Sequence, residues 1–170
     1  SETSMMEKYV SNLRLRCPEL WEFELITEFG QWSYFFTGYA ISKIEYSIKK
    51  GDKYITYIHI GADFLLRDSY VKPRGIAFGI MDSSFQWKTT KKVSHDIAGP
   101  LCFAGDYLAK NVLLPQAEET DIMILAGTGS NSYGLWSRHC SRDIPSFLAV
   151  DFDRKKVEKL SPKLEAFQNF

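Results

Sequence analysis

Gly99-Pro100-Leu101-Cys102-Phe103-Ala104-Gly105-Asp106 sets a single thiol between a Gly-Pro corner and a carboxylate four residues on. Glycine and proline fix a turn by their own backbone preferences, so the spacing predicts a cysteine held at a defined place, as a proton donor must be. Free cysteine is more often a small buried hydrophobe, and the stretch taken alone leaves that alternative open. Gly127-Thr128-Gly129-Ser130-Asn131-Ser132 is rich in glycine and hydroxyls and follows a strand-like run. Such a loop offers backbone N–H groups to an anion, although it lacks the lysine of a P-loop and also reads as a plain turn. Arg67 stands beside Asp68, where a solvated or locally paired charge is the ordinary reading. His59, His95 and His139 share no ligand spacing with Cys17, Cys102 and Cys140, so no metal is expected. His139 and Cys140 are neighbours, and on a strand neighbours point to opposite faces.

The elements that must position these groups read as one helix followed by many strands. Ser4-Met5-Met6-Glu7 has capping-box spacing, and Met6, Tyr9, Val10 and Leu13 recur at helical intervals until Pro18. The period then becomes two. Ile44, Tyr46 and Ile48 alternate with polar residues, Lys50-Gly51-Asp52 turns, and residues 53–60 form a second strand of a hairpin. Further strands are expected at 76–80, 87–93, 122–125 and 147–150, with turn residues at short intervals between them. The pattern predicts a mainly β fold, an antiparallel barrel or sandwich with an N-terminal helix. Residues 1–20 read as a helical remnant, 21–153 as the β-domain, and 154–170 as a surface helix or frayed tail.

The 170 residues suffice for one domain. Lys+Arg and Asp+Glu are both 21, so no basic excess argues for nucleic acid. No apolar run approaches the roughly 20 residues of a membrane helix. No signal peptide is visible, and three cysteines are an odd number, which predicts free thiols in a reducing cytoplasm. The chain opens on Ser1 rather than Met, which reads as an artificially added start or an internal cut.

Glu28-Phe29-Gly30-Gln31, the hairpin, Gly61 to Arg67, the Cys102 stretch and the Gly129 loop occur in an order that resembles a known family. It is the C-terminal β-domain of the pyridoxal-phosphate-dependent amino-acid decarboxylases, the group of diaminopimelate and ornithine decarboxylases. Their fold pairs an alanine-racemase-like TIM barrel with this β-domain. The resemblance runs from Met6 to Asp151 and is strongest at Gly99 to Asp106, where the family reads G-P-x-C-x-x-x-D. Gly129, Arg142, Pro145 and Asp151 also keep the family's register. Met6 to Arg16 corresponds to the last barrel helix.

The resemblance implies roles residue by residue. Glu28 matches the glutamate that bonds the cofactor's pyridine nitrogen, keeping it protonated so that the ring acts as an electron sink. Gly30 matches the glycine whose N–H faces the cofactor phosphate. Gln31 stands in place of a phosphate-binding arginine, and Phe29 in place of a proline. Asn131 falls where the family has a phosphate-binding tyrosine, a role that Tyr133 would reach only by a two-residue shift. Cys102 matches the cysteine that crosses a dimer interface and helps protonate the product carbon. Asp106 reads as structural. Arg67 matches an arginine that recognises a distal carboxylate in diaminopimelate-type enzymes. Phe103 replaces the acid that holds a distal amine, so a substrate with an anionic or neutral polar end is implied. No lysine matches the family's Schiff-base lysine, which lies in the barrel, so this chain alone is expected to be inactive. The implied protein is a homodimeric decarboxylase of an amino acid. The alternatives are a non-catalytic regulatory or dimerisation module and an unrelated β-barrel binding module.

Overall fold

A computed structural model describes residues 2–71 and 75–161, with the side chains of residues 2, 3, 67, 68 and 161 outside the description. The chain divides into two compact units, Ser1–Gly30 and Gln31–Phe170.

In the first unit, helix α1 spans Glu2–Arg16. It begins before Ser4, so Ser4 lies inside the helix rather than capping it. Met6, Val10 and Leu13 are half-buried at helical spacing. The Cys17 N–H donates to the Leu13 carbonyl, and Pro18, which has no N–H, begins a 3₁₀ turn (Pro18–Glu22). The Arg14 guanidinium lies 5.1 Å from the Trp21 ring centre, and Tyr9 meets Phe29 edge to face. No helix among the described residues is long and apolar enough to cross a membrane.

The second unit begins within the short helix α2 (Gly30–Tyr34), which runs into a 3₁₀ turn, Phe35–Thr37. The strands are β1 (Tyr39–Lys50), β2 (Lys53–Ile58), β3 (Ala77–Met81), β4 (Lys92–Ala98), β5 (Tyr107–Pro115) and β6 (Ile122–Ala126). They form one six-stranded sheet in the order β3-β6-β1-β2-β4-β5. The sheet curls until its edge strands β3 and β5 approach each other. Ile44, Ile58, Ile80, Ile97, Met123 and Leu125 are enclosed in the core of this unit. Helix α3 (Leu66–Tyr70) follows β2.

The mainly β architecture and the β1–β2 hairpin match the sequence pattern; strand β5 and helices α2 and α3 are additions to it, and four further differences stand out. First, β2 pairs with β4 in parallel, so the sheet is mixed rather than antiparallel. Residues 59–91 supply the long crossover that a parallel pair requires. Second, the face of β1 changes midway. A bulge between Ile44 and Tyr46 shifts the register, and one extra residue reverses which side chains face inward. Ile44 is buried, whereas Tyr46 and Ile48 are 55% and 56% exposed. Third, the strand expected over 87–93 starts only at Lys92, and Trp87 makes just an isolated bridge to Met81. Strand β4 then runs through Ser94, His95 and Asp96, and the buried His95 and Asp96 find partners on other strands. Fourth, Lys156–Ser161 is strand β8, paired with β7 (Phe147–Asp151), and not a helix. The remainder of the expected tail, 162–170, lies outside the described residues.

Candidate functional site

The parallel pairing of β2 and β4 brings their C-terminal ends side by side, and the Cys102 loop is built there. Asp106 is 3% exposed. One carboxylate oxygen accepts the Ala62 N–H at 2.7 Å, just past β2, and the other accepts the Leu101 N–H at 2.7 Å, just past β4. The Gly99 N–H donates to the Asp106 carbonyl at 2.9 Å, closing the loop on itself. Gly61 must lack a side chain here, since a Cβ on it would stand 2.7 Å from the Asp106 carboxylate. Within the loop the Phe103 N–H donates to the Leu101 carbonyl at 2.9 Å. This is a three-residue γ-turn with Cys102 at its apex. Leu101 is buried and Cys102 is exposed, so the buried-hydrophobe alternative for this cysteine does not hold.

A ring cluster flanks the turn. Phe103 stacks on Tyr70 at the end of α3 (5.8 Å, 14° between planes) and meets His139 edge to face at 5.5 Å. His139 opens a turn in which Cys140 and Ser141 adopt left-handed backbone (φ 57° and 51°). Two consecutive non-glycine residues in that region carry strain of about 1–3 kcal/mol each. Arg142 anchors the turn. Its Nε donates to the Asp63 carboxylate at 3.1 Å and its Nη2 to the His59 carbonyl at 2.7 Å. Arg67 belongs to α3, and its side chain lies outside the described residues.

The glycine loop is clamped to α2 and the turn after it. The Gly127 and Thr128 N–H groups donate to the Gly38 carbonyl, and the Gly129 N–H donates to the Phe35 carbonyl at 3.2 Å. A Cβ on Gly129 would stand 2.8 Å from both the Gly38 nitrogen and the Thr37 hydroxyl. Gly129→Ala is therefore expected to destabilise the chain by about 1–3 kcal/mol, because backbone cannot yield as a side-chain tip can; urea denaturation measures it. Asn131 has φ 55°, a conformation that asparagine tolerates better than most residues. The residue type thus has a backbone reason of its own. Tyr133 is exposed and packs edge to face on Phe147 at 4.8 Å.

A buried polar network escaped the sequence reading. Thr56 and His95 Nδ1 share a 2.8 Å hydrogen bond, Thr56 and Ser47 share one of 3.1 Å, and Tyr54 stacks on the imidazole. Beside it the Lys53 ammonium donates to Asp96, which also accepts the Asn111 N–H where β5 bulges. Burial pushes the Asp96 carboxyl up, but the Lys53 ammonium and the Asn111 N–H outweigh it and hold the group below the usual range. Full burial pushes the His95 pKa down, partly offset by the Pro115 carbonyl. The unfolded chain then binds a proton on this histidine that the folded chain refuses. Stability is expected to fall as pH drops below the ordinary histidine value of 6.5, by at most about 1.4 kcal/mol per pH unit. Urea midpoints between roughly pH 7 and 5 should show that slope, and His95→Gln should flatten it.

Residues 32–129, more than half of the chain, match the family described as the pyridoxal-dependent decarboxylase, C-terminal sheet domain. The chain belongs to this family. Diaminopimelate decarboxylase of Synechocystis sp. is 38% identical over 55 residues, covering 32% of this chain and 12% of that enzyme. The Aquifex aeolicus enzyme of the same name is 24% identical over 105 residues, covering 62% and 24%. A crystal structure of diaminopimelate decarboxylase superimposes with a TM-score of 0.74 at 17% identity over 81% of this chain and 34% of that one. The chain therefore spans about a third or less of the proteins it resembles.

Within this decarboxylase sheet domain, the residues singled out by resemblance fall into separate groups. Cys102, Phe103 and the helix bearing Arg67 gather at the C-terminal ends of β2 and β4. Gln31 and Asn131 sit on segments joined by the glycine-loop clamp, with Tyr133 in the turn that follows. Glu28 and Gly30 belong to the first unit, where both are exposed, and Glu28 has no hydrogen-bond or ion-pair partner among the described residues. The sequence reading missed His139 and Tyr70. Neither carries a local signal, since both lie more than 30 residues from Phe103 in the chain and meet it only in the fold.

Proposed function

We propose that this chain is the β-domain of a pyridoxal-phosphate-dependent amino-acid decarboxylase of the diaminopimelate type. The observation that carries the reading is the outward-facing Cys102, set at the apex of a turn that Asp106 clasps from two strands. A domain with only a structural role has no need to expose that thiol on so tightly held a support.

The chemistry of the candidate groups suits the cofactor in each unit taken by itself. Glu28 is an exposed carboxylate with no partner among the described residues, suited to a protonated ring nitrogen. In the second unit the Gln31 and Asn131 amides and the Tyr133 hydroxyl are donors suited to a phosphate ester, and in the first the Gly30 N–H is one. When bound, pyridoxal phosphate supplies an electron sink for the electron pair left by departing CO₂. The chain's own residues then do the following. Glu28 holds the proton on the ring nitrogen. Cys102 delivers its thiol proton to carbon. Arg67 pairs with a carboxylate at the far end of the substrate. The neutral Gln31 binds phosphate more weakly than an arginine, since hydrogen bonds to charged partners are worth about 1.5–3 kcal/mol.

A TIM-barrel domain supplies the cofactor-anchoring lysine, and a homodimer in the cytoplasm completes each site with Cys102. Residues 1–20 are the end of the barrel's last helix and 21–153 the β-domain, closed as a barrel, with strand β8 joined to it through β7. The full-length protein, given a panel of L- and D-amino acids, is expected to release CO₂ from one with a distal carboxylate or neutral polar group. Release only from ornithine or lysine would overturn the substrate assignment. No release from any amino acid, with cofactor bound, would favour the second reading, a non-catalytic dimerisation module, which Gln31 in place of a cation supports.

A further inference from the structure

We propose that Phe103 is a positioning residue, whose ring, gripped between Tyr70 and His139, holds one leg of the turn that presents Cys102. The γ-turn has two legs. Leu101 is fixed by its burial and by its N–H bond to Asp106. Phe103 completes the turn through its own N–H to Leu101, and its side chain is fixed by the two rings. Cys102 lies between the anchors and faces outward because both neighbours are tied down.

Stacked and edge-to-face ring pairs are directional, unlike simple apolar burial. One ring in two such contacts fixes orientation as well as place. Tyr70 brings α3 to the turn, and His139 brings the strained segment. That segment holds Cys140 and Ser141 in left-handed backbone while Arg142 anchors it to Asp63 and to the His59 carbonyl. Strain that persists is strain the surroundings impose, and what it accomplishes here is to set the imidazole against Phe103. A ring engaged in this way holds backbone in place and offers no polar group to a substrate. Position 103 thus acts through Cys102, and recognition of the substrate's far end falls to other groups. The action of Cys102 on substrate rests on the proposed decarboxylase reading, whereas the ring clamp does not.

The test places a nitroxide label on Cys102 in full-length protein carrying Cys17→Ser and Cys140→Ser. Phe103→Leu keeps apolar volume but removes the ring, and should shorten the label's correlation time about twofold. Phe103→Tyr should restore it. His139→Ala, at an exposed position, should move it the same way as Phe103→Leu with the fold intact by circular dichroism. The Tyr70 ring protons should lose their ring-current shift in Phe103→Leu. If an amino-acid substrate is turned over, Phe103→Leu should lower kcat about tenfold with little change in KM. Unchanged label mobility in Phe103→Leu and His139→Ala, or a Phe103→Leu loss confined to KM, would overturn the clamp. Absence of CO₂ release with the mobility change present would leave the clamp standing and sink only the catalytic reading.

Discussion

Cys102→Ala in the full-length protein is expected to lower decarboxylation turnover by about 10²–10⁴-fold while leaving the bound cofactor's absorbance unchanged. The substitution removes one sulfur at an exposed apex and no packing, since Leu101 and Phe103 carry the anchoring. Stability should therefore stay within roughly 0.5 kcal/mol of wild type. Loss of the positioned proton donor also leaves the product carbon open to protonation by water at other places, so side products should accumulate. Cys102→Ser keeps a donor of much higher pKa and should fall between alanine and wild type. Wild-type turnover and product purity in Cys102→Ala would remove the thiol from the mechanism.

Asp106→Ala is expected to be the most destabilising single change in the loop region. It leaves the Ala62 and Leu101 N–H groups buried without acceptors, at about 1.5–3 kcal/mol each for bonds to a charged partner. It also opens a gap beside Gly61 and Gly99, whose missing side chains make room for this carboxylate. The sum, about 3–6 kcal/mol, corresponds to a melting temperature lower by roughly 10 °C or more for a chain of this size. Asp106→Asn is the sharper test. It keeps the shape, but one of its two terminal groups becomes a donor facing a donor, so about half the penalty should remain. Melting temperatures near wild type in both variants would contradict the clasp.

How much was legible depends on the element. The hairpin was readable because Lys50-Gly51-Asp52 can do little but turn, and because alternating side chains on either side suit a pleated surface. The exposure of Tyr46 and Ile48 was not readable. A one-residue bulge reverses the facing of every later side chain, and the bulge depends on how β1 meets β2. Strand β4 was misplaced because Ser94, His95 and Asp96 are polar by type. The buried His95 and Asp96 are accommodated through Thr56, Lys53 and the bulged Asn111, which come from other strands. Strand β5 was missed for the same reason, since the left-handed Asn111 interrupts its alternation.

The candidate site divides in the same way. Gly-Pro before Cys102 and Asp106 after it are local chemistry, and a turn with a fixed thiol follows from the chain itself. So do the neutral Gln31, the ring at position 103 in place of an acid, and the mainly β composition. Tertiary structure alone decided that β2 and β4 run in parallel. Parallel pairing puts both C-terminal ends on one side, so a single carboxylate spans them and the segments at 61–67, 99–106 and 137–142 converge on Cys102. Sequence periodicity reports which face of a strand is apolar, and it carries no information on which strand lies beside it or in which direction that neighbour runs.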